Sequence, residues 1–454
     1  LGFLDTIFNL YDTTITQHLT EKLDTLERQC YPMKSLYLVC NVQGAALALE
    51  FNKLVDQLDN LGRMIQEISF DVSDRLDIAL ARFEAATDLD FIHERIELVR
   101  RPDISGYRGA APLDAPFHER ICDIFPAPAV PDSATILAAD GSQIYPNEQW
   151  RMPYYLTNIG LFVYHHGDER KPEQTSLPKL VYHPELVRDK FNRVMSGRTI
   201  DALRTVSEMH ELGNAAWNLR DDARPLIALY DNHLLFWVNS DVTGYVELMK
   251  KYLGGLVHLH DAGALLAGYI DNPVRSKTVI RLLHLLSLPE DEIKGDPLGS
   301  GDMEGLKDID IFNIVLRPGD RSALMLQNSP RNLLYKKRGE NYEIAYFYVK
   351  VSSGYQDAIA RVDIPMWVAR DKQKVNELHA LIVSQSAMQG RNPYPYVLTR
   401  ADELAVVSGK DKIKLEEMIR LQWRLNKPAI DPLVISPKNF GKQIARSQKR
   451  LHEL

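Results

Sequence analysis

The sequence predicts an α/β protein with a mixed sheet, entered through a helical region and followed by further helices. Two patterns carry that expectation. In the first hundred residues Leu47, Phe51, Leu54, Leu58, Leu61, Ile65, Ile68 and Val72 recur in steps of four and three, the a/d spacing of a helix with one apolar seam. From Ser133 onward, strand-like apolar runs come first and then alternate with helix-period segments, the order of a mixed sheet covered by helices.

Residues 1–101 read as a helical N-terminal region, either a coiled coil or a long helical hairpin. The stripe suits both dimerisation and packing within its own domain. Helix ends near Arg101-Pro102, and residues 102–132, with Pro102, Pro112, Pro116, Pro126, Pro128 and Pro131, read as a Pro-rich linker laid over a surface. In the main domain, residues 133–410, strands are expected at Ala134–Ala139, Tyr154–Tyr164, Leu226–Tyr230, Leu265–Ile270, Tyr342–Val351 and Ile359–Ile364. Helices are expected at Thr199–Asn218, Val242–His258, Lys277–Leu288, Val375–Met388 and Tyr396–Val407. Residues 411–454 read as a basic helical extension carrying Lys412, Lys414, Arg420, Arg424, Lys427, Lys438, Lys442, Arg446, Lys449 and Arg450. Such a tail suits a phosphate backbone, an acidic partner or simply a solvated helical face.

A chain of 454 residues is too long for one small core. The net charge of -7 argues against a protein that coats DNA non-specifically. No apolar run approaches the ~20 residues that span a bilayer, so no membrane association is expected. Leu1–Leu10 has neither a basic n-region nor a small-residue cleavage site, and no signal peptide is expected. Cys30, Cys40 and Cys122 form neither a disulfide framework nor a zinc pattern, which fits a cytoplasmic, reducing setting.

Chemistry is suggested where two apolar strands end alike. ILAADGSQ carries Asp140, Gly141 and Ser142; LIALYDNHLLFW carries Asp231, Asn232 and His233. A carboxylate beyond a buried strand projects into a cleft while Gly or Asn tolerates the turn. Two on neighbouring strands can hold Mg²⁺ or Mn²⁺, which prefer oxygen ligands. Taken singly, each of these sequences is also an ordinary turn.

The order of motifs resembles the NurA family of nucleases. Asp140-Gly141-Ser142 is followed by Glu208 on a helix and by Asp231-Asn232-His233. Then come Gly268-Tyr269-Ile270 with Pro273 and Arg275-Ser276, Pro318-Gly319-Asp320-Arg321-Ser322, Arg361-Val362-Asp363-Ile364-Pro365, and Tyr394-Pro395 leading to Ala401-Asp402. The correspondence runs from about residue 134 to about residue 410. It implies a ribonuclease H-like fold and a two-metal Mn²⁺ or Mg²⁺ site. It also implies exo- and endonucleolytic cleavage of DNA and a HerA-type hexameric ATPase as partner.

By that resemblance Asp140, Glu208 and Asp231 are the metal-ligating and catalytic candidates, with Glu211 the alternative to Glu208. The fourth position departs from the pattern. The family usually has His there and this chain has Asp402, a hard oxygen donor that either preserves the site or marks its decay. His233 is read as a proton-transfer aid or a structural histidine, and Tyr269 as a water-orienting or base-stacking residue. Arg275, Lys277 and Arg321 are the DNA-binding candidates, while Asp363 is read as a partner for Arg361. Three functions remain open: an active nuclease working with the ATPase in DNA end processing or defence, a non-cutting subunit of that complex, and a phosphohydrolase of small nucleotides. The last lacks a Gly-rich phosphate loop. The heptads suggest a homodimer.

Overall fold

The computed structural model describes residues 51–100, 106–114, 119–222, 224–293, 299–426, 430, 432 and 433. Leu47, Cys30, Cys40 and the tail cations from Lys427 onward lie outside the described residues. The chain forms two compact units, Leu1–Asp74 and Arg75–Leu454. A 3₁₀ turn at Phe51–Leu54 in the first leads into helix α1 (Val55–Ala85), whose residues from Arg75 onward belong to the second. Leu58, Leu61, Met64 and Ile65 are exposed along it.

An eleven-stranded mixed sheet organises the second unit. Its strands are β1 (Ala110–Pro112), β2 (Ile124–Phe125), β3 (Ala134–Ile144), β4 (Tyr155–His166), β5 (Glu173–Val181), β6 (Leu226–Tyr230), β7 (Leu265–Asp271), β8 (Arg321–Ser322), β9 (Met325–Gln327), β10 (Ile344–Ser352) and β11 (Asp357–Pro365). The helices that matter below are α2 (Leu89–Arg100), α3 (Gly197–Asn218), α4 (Tyr245–Asp261), α5 (Thr278–Ser287), α6 (Asp308–Val315), α7 (Lys372–Ala387), α8 (Tyr396–Ala405) and α9 (Gly409–Leu425). Among the described residues no helix is long and apolar enough to cross a membrane.

Topology identifies the fold. Strands β3, β4 and β5 form an antiparallel meander. The chain then crosses through α3, and β6 joins the free side of β3 in parallel. A second crossover through α4 lays β7 parallel to β6. The resulting order β5-β4-β3-β6-β7 is the ribonuclease H-like arrangement, and β11 extends it antiparallel to β7. The centre of this sheet is apolar for a physical reason. Ala134, Ile136, Leu137, Ala138 and Ala139 on β3 and Leu226–Tyr230 on β6 are buried, as parallel strands covered on both faces must be.

Three differences from the sequence expectation have clear causes. The stretch 102–132 is more than a linker, because β1 pairs with β9 and β2 with β8. Such short strands are too brief to show a period. Strand β5 carries Pro178 and Lys179, and only Val181 along it is buried. An edge strand with both faces wet has no apolar alternation to read. The boundary placed at residue 410 falls within the first turn of α9, whose start is set by Ser408 and Asp411 in a reciprocal capping box.

Candidate active site

The site begins where the parallel pairing of β3 and β6 stops. The last paired residues are Ala139 and Tyr230, so Asp140 and Asp231 are the next positions on adjacent parallel strands. Strand β3 does not end at Asp140 as the sequence suggested. It continues to Ile144 with β4 as its partner, while β6 turns away and opens a cleft beside it.

Helix α3 brings the third carboxylate. Ser196 caps it by accepting from the Thr199 amide at 3.3 Å, and its inner face buries Val206, Glu208, Met209 and Leu212. Glu208 faces the strands. Glu211 instead points outward and accepts from Asn214 Nδ2 at 3.3 Å, so geometry separates the two candidates. The Tyr230 hydroxyl donates to Glu208 Oε2 at 3.0 Å. Arg204 Nε lies 3.3 Å from Oε1, a charge contact too poorly aligned for a hydrogen bond, and Oε1 is buried without a hydrogen-bond partner. A Cβ on Gly141 would stand 2.5 Å from that oxygen. Glycine at this position is therefore a matter of space for the carboxylate.

Ser142 and Gly160 explain how the fourth carboxylate arrives. Ser142 Oγ donates to the Ala405 carbonyl at 2.5 Å and accepts from the Val407 amide at 3.1 Å. Asn158 Nδ2 donates to the carbonyls of Leu404 and Ala405. These bonds satisfy carbonyls at the C-terminus of α8, which would otherwise be orphaned. Gly160 sits opposite Asp140 on β4, and a Cβ there would meet the Ala401 carbonyl oxygen at 2.4 Å. The helix backbone thus lies directly on the strand, and Asp402, although exposed, comes within hydrogen-bonding reach of Asp140.

Electrostatics reflect this crowding. Burial, followed by the charges of Asp231 and Asp402, pushes the Asp140 carboxyl up to about 6. Burial and the nearby Asp140 push Glu208 up to about 7, against the pull of Arg204. Asp231 is raised by burial and by Asp271 and Asp402, although a hydrogen bond from Tyr394 opposes this. Like charges held together in a partly dry site disfavour ionisation, and such perturbed groups concentrate at functional sites.

Sequence reasoning missed Tyr394, Arg204 and Asp271 as site residues. Tyr394 stood inside the Tyr-Pro motif, which was its only signal. Tyr269 is fully buried, and its ring meets that of Tyr394 edge-on at 5.3 Å. It therefore supports Tyr394 and cannot stack on a base. Arg204 Nη1 donates to the Gly141 carbonyl at 2.7 Å, tying α3 to β3.

The cationic candidates divide. Arg321 is 1% exposed, pairs with Glu119 at 3.0 Å and lies 4.0 Å from the Phe125 ring centroid. Fully enclosed, it is a structural ion pair rather than a phosphate ligand. Lys277 pairs with Glu304 at 2.9 Å. Arg275 is exposed on a cleft that it shares with His233 and Trp237. Asp363 is wholly buried and contacts Arg361 Nε at 2.8 Å and His233 Nδ1 at 3.1 Å. Burial alone would raise it, but Arg361 and His233 hold its carboxyl down at about 2. His233 is thus anchored from behind, with its ring at the cleft.

A divalent cation fits the donor chemistry here. The oxygen donors are hard and mutually repulsive, and one buried carboxylate oxygen lacks a partner. Among the described residues no three His, Cys, Asp or Glu side chains are drawn together as a closed ligand set.

Carboxylates gathered beside the central strand of this sheet define a ribonuclease H-like protein of the nuclease class. A model of the NurA domain matches residues 134–407. That is more than half of the chain, and the chain belongs to the NurA nuclease family. In structure it is similar to the NurA nuclease from Sulfolobus solfataricus, at 12% identity and a TM-score of 0.48, over 83% of this chain and 98% of that one. It is also similar to the catalytic domain of human Endonuclease V, at 12% identity and a TM-score of 0.27, over 74% of this chain and 96% of that one. No curated protein matches it in sequence.

Proposed function

We propose that this protein is a metal-dependent deoxyribonuclease, hydrolysing DNA phosphodiesters by exo- and endonucleolytic cleavage. The observation that carries the reading is the placement of Asp140 and Asp231 at the end of the β3–β6 pairing, with Glu208 and Asp402 brought toward them by α3 and α8 and the first three carboxyls raised by burial and neighbouring carboxylates. Asp140, Glu208 and Asp231 would hold Mn²⁺ or Mg²⁺, with Asp402 as a fourth donor. Such ions supply Lewis-acid polarisation of the phosphodiester and stabilise charge on the attacking and leaving oxygens.

The chain's own residues prepare that site. Tyr230 and Arg204 fix the Glu208 carboxylate, Tyr394 favours the charged form of Asp231, and Ser142 clamps the helix that carries Asp402. Arg275 would steer a phosphate backbone toward the carboxylates, and Lys277 would join it only by giving up its pair with Glu304.

Family membership supports a HerA-type hexameric ATPase as partner, in DNA end processing or defence against foreign DNA in the cytoplasm. The net charge of -7 fits a nuclease that leaves much of its DNA grip to such a partner. The exposed Leu58, Leu61, Met64 and Ile65 suit a homodimer, which a strictly monomeric mass at micromolar concentration would exclude.

End-labelled linear DNA incubated with Mn²⁺ or Mg²⁺, with and without the ATPase, tests the reading beside Asp140→Ala. Metal-dependent products that disappear in the variant support it. One observation favours a second reading, a non-cutting subunit: no three ligand side chains close on a cation site among the described residues. Absence of products with ATPase binding intact would select that alternative.

A further inference from the structure

We propose that a basic cleft lined by His233, two residues beyond Asp231 in the chain, is a separate subsite for a single nucleic-acid strand, holding phosphates on Arg108, Arg275 and Arg281 and an unpaired base on Trp237. The substrate class rests on the nuclease reading above. The cleft itself stands on its own geometry. Its volume is about 390 Å³, the size of a pocket that takes a small organic ligand. It lies between the turn after β6, which supplies His233 and Trp237, and the segment after β7, which supplies Asn272 and Arg275.

The charges in this cleft are not all alike. Lys277 is neutralised by Glu304, and Arg361 by Asp363. Arg108, Arg275 and Arg281 have no carboxylate within ion-pair distance among the described residues, and the Arg281 Nε is buried without a hydrogen-bond partner. Arg108 and Arg275 are exposed to water and Arg281 is half-buried, so all three can present donors to an anion that enters, and a planar fork of donors matches phosphate oxygens. Arg281 is held firmly. It sits on the first turns of α5, whose N-terminal amides of Thr278, Val279 and Ile280 all donate to the buried Asp308.

Trp237 supplies the second half of the argument. Its side chain is 52% exposed, while Arg331 approaches its ring at 5.9 Å and is itself fixed by Tyr245 Oη and the Val238 carbonyl. A positioned, half-exposed indole beside bare guanidiniums is a stacking platform next to a backbone track, the combination that retains single strands. A paired base offers no free face to it.

The test is fluorescence anisotropy of a labelled oligothymidine with the full chain in EDTA, where hydrolysis is not required. Arg275→Ala/Arg281→Ala is expected to weaken binding at least tenfold. The slope of log affinity against log salt should become shallower by roughly 0.7 for each phosphate that the variant no longer neutralises. Trp237→Ala is expected to cost roughly tenfold on the single strand and little on a blunt duplex, with Trp237→Phe restoring most of it. Lys179→Ala, a single charge change on the exposed edge strand β5, should bind as the parent does. Equal losses in Lys179→Ala and the double arginine variant would overturn the proposal. So would unchanged binding in Trp237→Ala, or an equal loss on single strand and duplex. Cleavage by the parent with unaltered binding by these variants removes the subsite and leaves the nuclease reading. The converse, arginine-dependent binding without cleavage under any metal, keeps the subsite and removes the nuclease.

Discussion

The Tyr230 hydroxyl reaches Glu208 Oε2 at 3.0 Å, joining the last residue of the central parallel strand to the buried carboxylate of α3. Asp231 follows Tyr230 directly, so one peptide fixes two of the candidate donors. Tyr230→Phe should leave Glu208 Oε2 buried without its donor. A hydrogen bond to a charged group contributes about 1.5–3 kcal/mol, and a loss of that order is expected in denaturant unfolding with Mg²⁺ present. Full stability in the variant would show that the bond carries no weight.

The pH dependence has a definite sign. Asp140 and Glu208 titrate at about 6 and about 7 in the folded protein, above roughly 4 in an unfolded chain. A raised carboxyl binds its proton more tightly when folded, so its stabilisation is full below the unfolded value and disappears as pH rises through the folded one. In EDTA the melting temperature should therefore fall between about pH 4 and about pH 7, where these two groups titrate. Asp140→Asn should flatten the fall, and Mn²⁺ should reverse it at pH 8. A metal-free protein whose stability rises over that window would contradict the crowding of carboxylates at this cleft.

Much of this architecture was legible because it is local. The apolar run before Asp140 and the helix period around Glu208 are patterns within single segments, and burial followed from them. The choice of Glu208 over Glu211 rested on the family resemblance and not on helix period, since one helical turn separates them and the packing partner decides. Nor was the role of Ser142, which serves a helix more than two hundred residues further along the chain. Arg321 and Arg275 look alike in sequence. Only the arrival of Glu119 and Phe125 from the supposed linker makes the first a buried structural group.

Gly141 carries a prediction that distinguishes space from flexibility. The residue lies within β3 in extended register with Ile159, so its backbone does not need glycine. A Cβ would nevertheless stand 2.5 Å from Glu208 Oε1 and 2.9 Å from Arg204 Cγ. Gly141→Ala should displace the carboxylate while leaving the strand paired. Misplacement by about 1 Å can cost on the order of 100-fold in rate, and cleavage should drop accordingly with the circular dichroism spectrum unchanged. Parental activity in a folded Gly141→Ala protein would place Glu208 outside the machinery.

Asp402 can be tested by a substitution that keeps its shape. Asp402→Asn removes a negative charge from beside Asp140, so the Asp140 carboxyl should titrate lower and the metal-free stability at pH 8 should increase. Metal affinity should fall if Asp402 is a donor, because an amide oxygen binds Mg²⁺ or Mn²⁺ less well than a carboxylate. Calorimetric titration with Mn²⁺ reads the second effect. Unchanged affinity together with unchanged cleavage would reduce Asp402 to a bystander on α8.

Arg321 and Arg275 should fail in opposite ways. Arg321 is enclosed by Phe125 and Glu119, and its removal strands a carboxylate that also accepts from the Leu324 amide at 2.8 Å. Breaking a buried pair costs about 3–5 kcal/mol, and the low end is expected because Glu119 keeps some exposure to water. Arg321→Ala should therefore melt earlier while its folded fraction binds DNA as the parent does. Arg275→Ala should melt normally and bind DNA more weakly, with a shallower salt dependence. Paired melting curves and anisotropy titrations separate the two. A stable Arg321→Ala protein with weakened DNA binding would return that residue to the nucleic-acid surface and contradict its burial.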